Sequence, residues 1–84
     1  MAVTCVKLLP RTFSDGKVCA VSGSLDCSLK VWDVWKGVQL RSIYTYNGIK
    51  CLGVLGERHV VTGTDGGKLE VFNLANGTNV HSSK

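Results

Sequence analysis

Two stretches of this 84-residue chain repeat each other at an offset of 40 residues. Residues 22–37 have the sequence SGSLDCSLKVWDVWKG, and residues 62–77 have the sequence TGTDGGKLEVFNLANG. Aligned without a gap, the matched pairs include Gly23 with Gly63, Leu29 with Leu69, Val31 with Val71, and Trp32 with Phe72. A repeat of this length predicts one small structural unit made twice, whose copies stack on each other.

Hydrophobic periodicity indicates that the repeated unit is built from strands. Apolar residues follow a period of two or fall in short runs, and glycines interrupt most of the longer windows. Turns are marked by Asp65–Gly66–Gly67 and by Asn76–Gly77. The predicted strands span residues 2–9, 18–24, 29–34, 38–44, 49–55, 59–64, 68–74 and 78–83.

The predicted strands carry apolar side chains on both faces, as Leu29 and Trp32 show in the third strand. A sheet that is apolar on both faces packs between two neighbouring layers of structure. A period near 40 with four strands is typical of a β-propeller blade. The sequence therefore predicts an all-β fold with two four-stranded antiparallel blades, residues 1–44 and residues 45–84. Because propellers usually have about four to eight blades, we expect the remaining blades of a longer chain, or self-association, to complete the ring.

The composition argues against several classes of partner and cofactor. The ten basic and six acidic residues give a net charge of +4, but the basic residues form no cluster, which disfavours nucleic acid. No hydrophobic run approaches the length of a membrane span, and the first residues are a poor signal peptide. We predict a cytoplasmic or nuclear protein with reduced thiols and no metal site, because no C-x-x-C pair occurs. Cys5, Cys19 and Cys51 lie in apolar surroundings and are predicted to be buried.

Residues 22–33, SGSLDCSLKVWD, resemble the end of a WD repeat, whose usual form is S-G-S-x-D-G-T-I-K-V-W-D. In the second copy, Phe72–Asn73 stands in place of the Trp–Asp pair. WD repeats often hold a buried polar network, and the positions that match it here are Ser22, Asp26 and Trp32. The second copy lacks the aspartate and the indole N–H, so the resemblance implies that packing alone stabilises it.

The segment GERHVVTGTDGG is similar to the repeats of F-box WD proteins. This resemblance implies a scaffold that holds other proteins, and it could include an adaptor that recruits substrates to a ubiquitin ligase. No catalytic arrangement opposes this interpretation. Ser24 and Asp26 are better interpreted as a strand serine and a turn aspartate than as partners of His59 or His81 in a hydrolase site. We predict no enzymatic activity and no cofactor.

Rim loops are the docking surfaces of stacked-blade folds. The candidate partner-binding residues are Trp35, Lys36, Arg11, Tyr46 and Arg58. Trp35 lies in a tight turn, where it either packs over the hairpin or against the Phe13 loop, or anchors an interface. Tyr44 and Tyr46 alternate along the chain, so one of them is expected to point inward. The predicted function is a non-catalytic scaffold for proteins or peptides; the alternative is a self-assembling propeller that binds nucleic acid or carbohydrate.

Overall fold

Eight strands form the regular secondary structure of the described residues. The computed structural model describes residues 3–10 and 18–82, and for residues 81 and 82 it describes the backbone alone. The strands are β1 (Val3–Leu8), β2 (Cys19–Ser24), β3 (Ser28–Asp33), β4 (Val38–Tyr44), β5 (Ile49–Leu55), β6 (His59–Thr64), β7 (Leu69–Asn73) and β8 (Thr78–Ser82). Their bounds lie within one residue of the predicted bounds, because glycine, asparagine and aspartate mark the turns.

The strands pair into two four-stranded antiparallel sheets, β1-β2-β3-β4 and β5-β6-β7-β8. We call these sheets blade 1 and blade 2. The predicted all-β fold is therefore confirmed. Within the described residues there is no helix that could cross a membrane.

The repeat in the sequence is also a repeat in strand register. The first two strands of each blade pair with an irregularity after the first residue, between Val3 and Cys5 in blade 1 and between Ile49 and Cys51 in blade 2. The last two strands show a second irregularity at the tryptophan of blade 1 and at the phenylalanine of blade 2. Equivalent residues of the two blades therefore occupy equivalent places in their sheets.

Strand alternation assigns each side chain to one of two faces. Blade 1 packs on blade 2 through Val21, Gly23, Leu29 and Val31, which meet Ile49, Leu52, Val60 and Phe72 in one buried core. Two faces point away from this core. The outer face of blade 1 includes Val3, Val6, Leu8, Ser22 and Trp32, and the outer face of blade 2 includes Cys51, Val61, Gly63, Leu69 and Val71.

The two blades come close together at Gly23. A Cβ atom at this position would lie 2.5 Å from Cγ2 of Ile49 and 3.0 Å from Sγ of Cys5. The Thr4 hydroxyl donates to the carbonyl oxygen of Gly23 at 3.1 Å and also to that of Ile49. The absent side chain of Gly23 therefore lets the backbones of β2 and β5 come together.

The prediction that three cysteines are buried is wrong for Cys51. Cys19 is fully buried and Cys5 is half-buried, but Cys51 is exposed. Cys5 and Cys51 hold equivalent places, and only the face that carries Cys5 is covered by the other blade. None of the four cysteines forms a disulfide.

Candidate functional site

The turns of the two blades gather at two opposite rims. Rim 1 contains residues 25–27, 45–48 and 65–68, and rim 2 contains residues 34–37, 56–58 and 74–77. The structure places Tyr46 at rim 1 and places Trp35, Lys36 and Arg58 at rim 2. Arg11 lies outside the described residues. The five candidate residues therefore do not form a single surface.

Trp35 is the most exposed large apolar side chain of the described residues, at 82%. Its turn is nevertheless well held, since the amide of Lys36 donates to Oδ1 of Asp33 at 3.1 Å. The amide of Gly37, which has a φ of 66°, donates to the carbonyl oxygen of Asp33 at 2.8 Å. This exposure argues against packing over the hairpin, and the Phe13 loop, the other predicted packing partner of Trp35, lies outside the described residues.

Backbone and side-chain bonds tie the turns of rim 2 to the sheets. The carbonyl oxygen of Arg58 accepts from the amide of Leu74 at 2.7 Å, while the Arg58 side chain is exposed. Arg41 of β4 donates through Nη2 to the carbonyl oxygen of Ala75 at 3.0 Å. Arg41 thus links blade 1 to the last turn of blade 2. Its role was missed, because no sequence signal relates a strand arginine to a turn 34 residues away.

Tyr44 and Tyr46 form an exposed aromatic pair at rim 1. Their ring centroids lie 4.7 Å apart with an interplanar angle of 67°, an edge-to-face contact. The expectation that one of them points inward is wrong, because both are exposed. Tyr46 has a φ of 67°, which interrupts the alternation on which the expectation rested.

The residues around Tyr46 are fixed to both blades. Thr45 is buried, and its amide donates to the carbonyl oxygen of Cys27 at 2.9 Å. The carbonyl oxygen of Gly48 accepts from the amide of Asp65 at 3.0 Å. A Cβ at Gly48 would lie 2.9 Å from Oδ2 of Asp65 and 3.1 Å from the carbonyl oxygen of Leu25. Rim 1 is therefore a close-packed surface from which the side chains of Tyr44 and Tyr46 project.

Two of the three residues matched to the WD-repeat network are in direct contact. Nε1 of Trp32 donates to Oγ of Ser22 at 3.0 Å across β2 and β3. Asp26 lies in the turn between these two strands, where its Oδ1 accepts from the Ser28 hydroxyl at 2.6 Å and its amide donates to the Ser24 hydroxyl at 3.2 Å. The Ser28 hydroxyl, and then the Ser24 hydroxyl, lower the pKa of the Asp26 carboxyl below its usual value.

We expect the Ser22–Trp32 bond to contribute about 1 kcal/mol to the free energy of unfolding. Ser22→Ala should lower stability in the native background and should have a smaller effect when Trp32 has already been replaced by Phe, because the donor is then absent. Urea denaturation of the four proteins of this cycle measures the coupling. Equal effects of Ser22→Ala in both backgrounds would show that the bond contributes nothing.

The described residues show no group of three or more His, Cys, Asp and Glu side chains placed to hold a metal ion. The residues considered for a hydrolase site are also separated. Ser24 ends β2 at rim 1, whereas His59 begins β6 at rim 2. The side chain of His81 is outside the described part of the chain.

Comparison with known proteins identifies the architecture. The fold is similar to that of Sqt1 from Saccharomyces cerevisiae, with a TM-score of 0.83 and 21% identity over 99% of this chain and 26% of Sqt1. It is also similar to the RRP9 WD40 repeats and to U3-55K, each with a TM-score of 0.81 and 16% identity over all of this chain. The match covers 26% of the RRP9 chain and 27% of the U3-55K chain.

This chain therefore spans about a quarter of the length of those solved chains. No protein-family model and no curated protein sequence matches it. The structural likeness, the repeat in sequence and the repeat in register lead to the same architecture. The chain has the fold of two consecutive blades of a WD-repeat β-propeller.

Proposed function

We propose that this chain is a non-catalytic scaffold that binds proteins or peptides through its rims. The exposure of Trp35 in a turn held by two hydrogen bonds carries the proposal. Tryptophan is enriched among the residues that dominate binding energy, because it buries a large area when a partner covers it. A turn that is already ordered loses little conformational entropy on binding.

Rim 2 offers a partner both apolar and charged contacts. The indole of Trp35 suits an apolar side chain, and the exposed amino group of Lys36 follows it directly in the turn. The exposed Arg58 side chain belongs to the same rim. Aromatic and cationic groups in this combination favour a peptide that carries an apolar residue next to an acidic one.

The finer role is that of an adaptor inside the cell. WD40 repeat proteins are among the chains with this fold, and the resemblance of residues 56–67 to F-box WD repeats supports the recruitment of substrates to a ubiquitin ligase. Recruitment needs a rigid surface and no catalytic group. The fixed turns of both rims meet this requirement.

A peptide library displayed on phage tests the scaffold function. Peptides selected on the immobilised 84-residue chain should bind it in calorimetry, and Trp35→Ala should raise their Kd at least about tenfold. Tyr46→Ala removes a similarly exposed aromatic residue from the opposite rim, so the comparison of the two variants shows which rim a selected peptide uses. Circular dichroism checks that both variants fold. The proposal fails if neither variant changes the Kd of any selected peptide.

A further inference from the structure

The outer face of blade 1 repeats the face that blade 2 buries. In the first strands, Val3, Val6 and Leu8 of β1 correspond to Ile49, Leu52 and Val54 of β5. The correspondence follows from the strand register. In blade 1, the three residues of β1 pair in order with Ser24, Ser22 and Ala20. In blade 2, the three residues of β5 pair in order with Thr64, Thr62 and Val60, which are the repeat equivalents of those partners. All six first-strand residues are aliphatic.

The environments of these equivalent residues differ sharply. Ile49 is 0% exposed and Leu52 is 8% exposed, because blade 1 covers them. Their counterparts Val3 and Val6 are 58% and 57% exposed. A row of aliphatic side chains that is buried in one blade is therefore in water in the other.

The outer face of blade 2 shows the converse relation. Leu29 of blade 1 lies against blade 2 and is 0% exposed, whereas the equivalent Leu69 is 55% exposed. Val31 is buried and its equivalent Val71 is only half-buried. Blade 2 thus presents to water the kind of surface on which a blade docks inside this chain.

The contact between the blades at Gly23 also has a counterpart on the outer face of blade 2. Within the chain, Ile49 and the thiol of Cys5 both lie over Gly23. On the outer face of blade 2, the thiol of Cys51 lies over Gly63, with its Sγ 2.5 Å from the position of a Cβ. No other heavy atom of the described residues lies within 4 Å of that Cβ position, so as far as residues 3–10 and 18–82 show, the place that corresponds to Ile49 can receive a first-strand aliphatic residue. The equivalent residue in this sequence is Val3.

We propose that a second copy of this chain docks head to tail, with the outer face of its blade 1 on the outer face of blade 2. Val3 of one copy then lies over Gly63 of the other, as Ile49 lies over Gly23 within one copy. This association is separate from the scaffold function, because it uses the outer sheet faces and leaves both rims accessible.

The internal interface supports a second copy as the occupant. Each copy carries both halves of a contact that the same chain already makes between its own blades. The charged residue Lys30 on the outer face of blade 1 occupies the position of Glu70, which is buried between the blades. A blade-to-blade contact inside this chain thus already includes a charged residue at this position. Because the two faces differ, the association is heterologous and forms rings or open chains.

Two surface substitutions test the direction of docking by sedimentation of the 84-residue chain. Val6→Lys places a charge on the outer face of blade 1, and Leu69→Lys places one on the outer face of blade 2. The native chain should form oligomers, and each variant alone should associate at least about tenfold more weakly, because a buried lysine lacks a partner there. An equimolar mixture should form a dimer, because each variant retains the face that the other has lost.

A disulfide provides a test that does not depend on those variants. Val3→Cys, in a chain that also carries Cys5→Ser and Cys27→Ser, should form a ladder of disulfide-linked oligomers with Cys51 of the next copy on mild oxidation. Adding Cys51→Ser should abolish the ladder. Val38→Cys in the same background is the control, since it places an exposed thiol away from both outer faces.

Three results would overturn the proposal. The first is a native chain that stays monomeric at all concentrations. This result counts against the proposal even if the monomer binds a different protein through these faces. The second is a mixture of the two lysine variants that stays monomeric although both are folded by circular dichroism. The third is a Val3→Cys dimer that persists without Cys51, because it would show that identical faces meet.

Discussion

Gly23→Ala is expected to lower the free energy of unfolding by about 2–3 kcal/mol. The new Cβ would lie 2.5 Å from Cγ2 of Ile49, well inside van der Waals contact, and 3.1 Å from its Cβ. Ile49 is fully buried and β-branched, so its χ1 rotamers are restricted and it cannot move into solvent to clear the space. The two blades must separate, and the Thr4 hydroxyl that bonds to both backbones loses its geometry.

Gly53→Ala is the matched control for this substitution. Gly53 is also a strand glycine, but no heavy atom lies within 4 Å of the position of its Cβ. We expect Gly53→Ala to raise the free energy of unfolding by less than about 1 kcal/mol, because alanine restricts the unfolded chain. Urea denaturation at one low protein concentration measures both variants. Similar losses for the two would contradict a close contact at Gly23.

A double substitution separates the clash from a general effect of alanine. Ile49→Ala alone should cost about 2–5 kcal/mol, because it empties a fully buried position. Gly23→Ala should then cost much less in the Ile49→Ala background, since Cγ2 of Ile49 is gone. Full additivity of the two substitutions would mean that Gly23 and Ile49 do not constrain each other.

Leu29→Ala should destabilise the chain by about 2–5 kcal/mol. Leu29 is one of the largest fully buried side chains, and it packs where the two blades meet. Its repeat equivalent provides the control, because Leu69 has the same side chain and the same register but is mostly in water. Leu69→Ala should cost less than about 1 kcal/mol in dilute solution.

The concentration dependence of these two effects is informative. The cost of Leu29→Ala should not change with protein concentration, whereas the cost of Leu69→Ala should grow if a second copy covers that residue. Thermal unfolding followed by circular dichroism over a hundredfold range of concentration measures both. Equal costs of the two substitutions in dilute solution would disprove the packing of blade 1 on blade 2.

The strands and their pairing could be predicted from the sequence because both depend on local signals. Alternating apolar residues define each strand, and the turn glycines such as Gly37 and Gly77, which have positive φ angles, define where it ends. The offset of the repeat then aligns one blade with the other. The WD-repeat resemblance implied a polar network that includes Ser22 and Trp32, and a hydrogen bond joins these two side chains in the structure.

The exposure of individual residues could not be predicted in the same way. Cys5 and Cys51 have similar sequence surroundings, and only the presence of a neighbouring sheet distinguishes a half-buried thiol from an exposed one. Tyr46 and Cys27 adopt positive φ angles that residues other than glycine rarely take. Tertiary contacts at rim 1 hold both backbones, and no local pattern announces them.

The connector between the blades has a mechanical consequence. It consists of the four residues 45–48, and it is bonded at one end to Cys27 of blade 1 and at the other end to Asp65 of blade 2. Such a short bonded connector works as a rigid bracket, not as a hinge. The angle between successive blades is therefore set within each molecule, and together with the docking angle between copies it determines the circumference of any circle that such units can close.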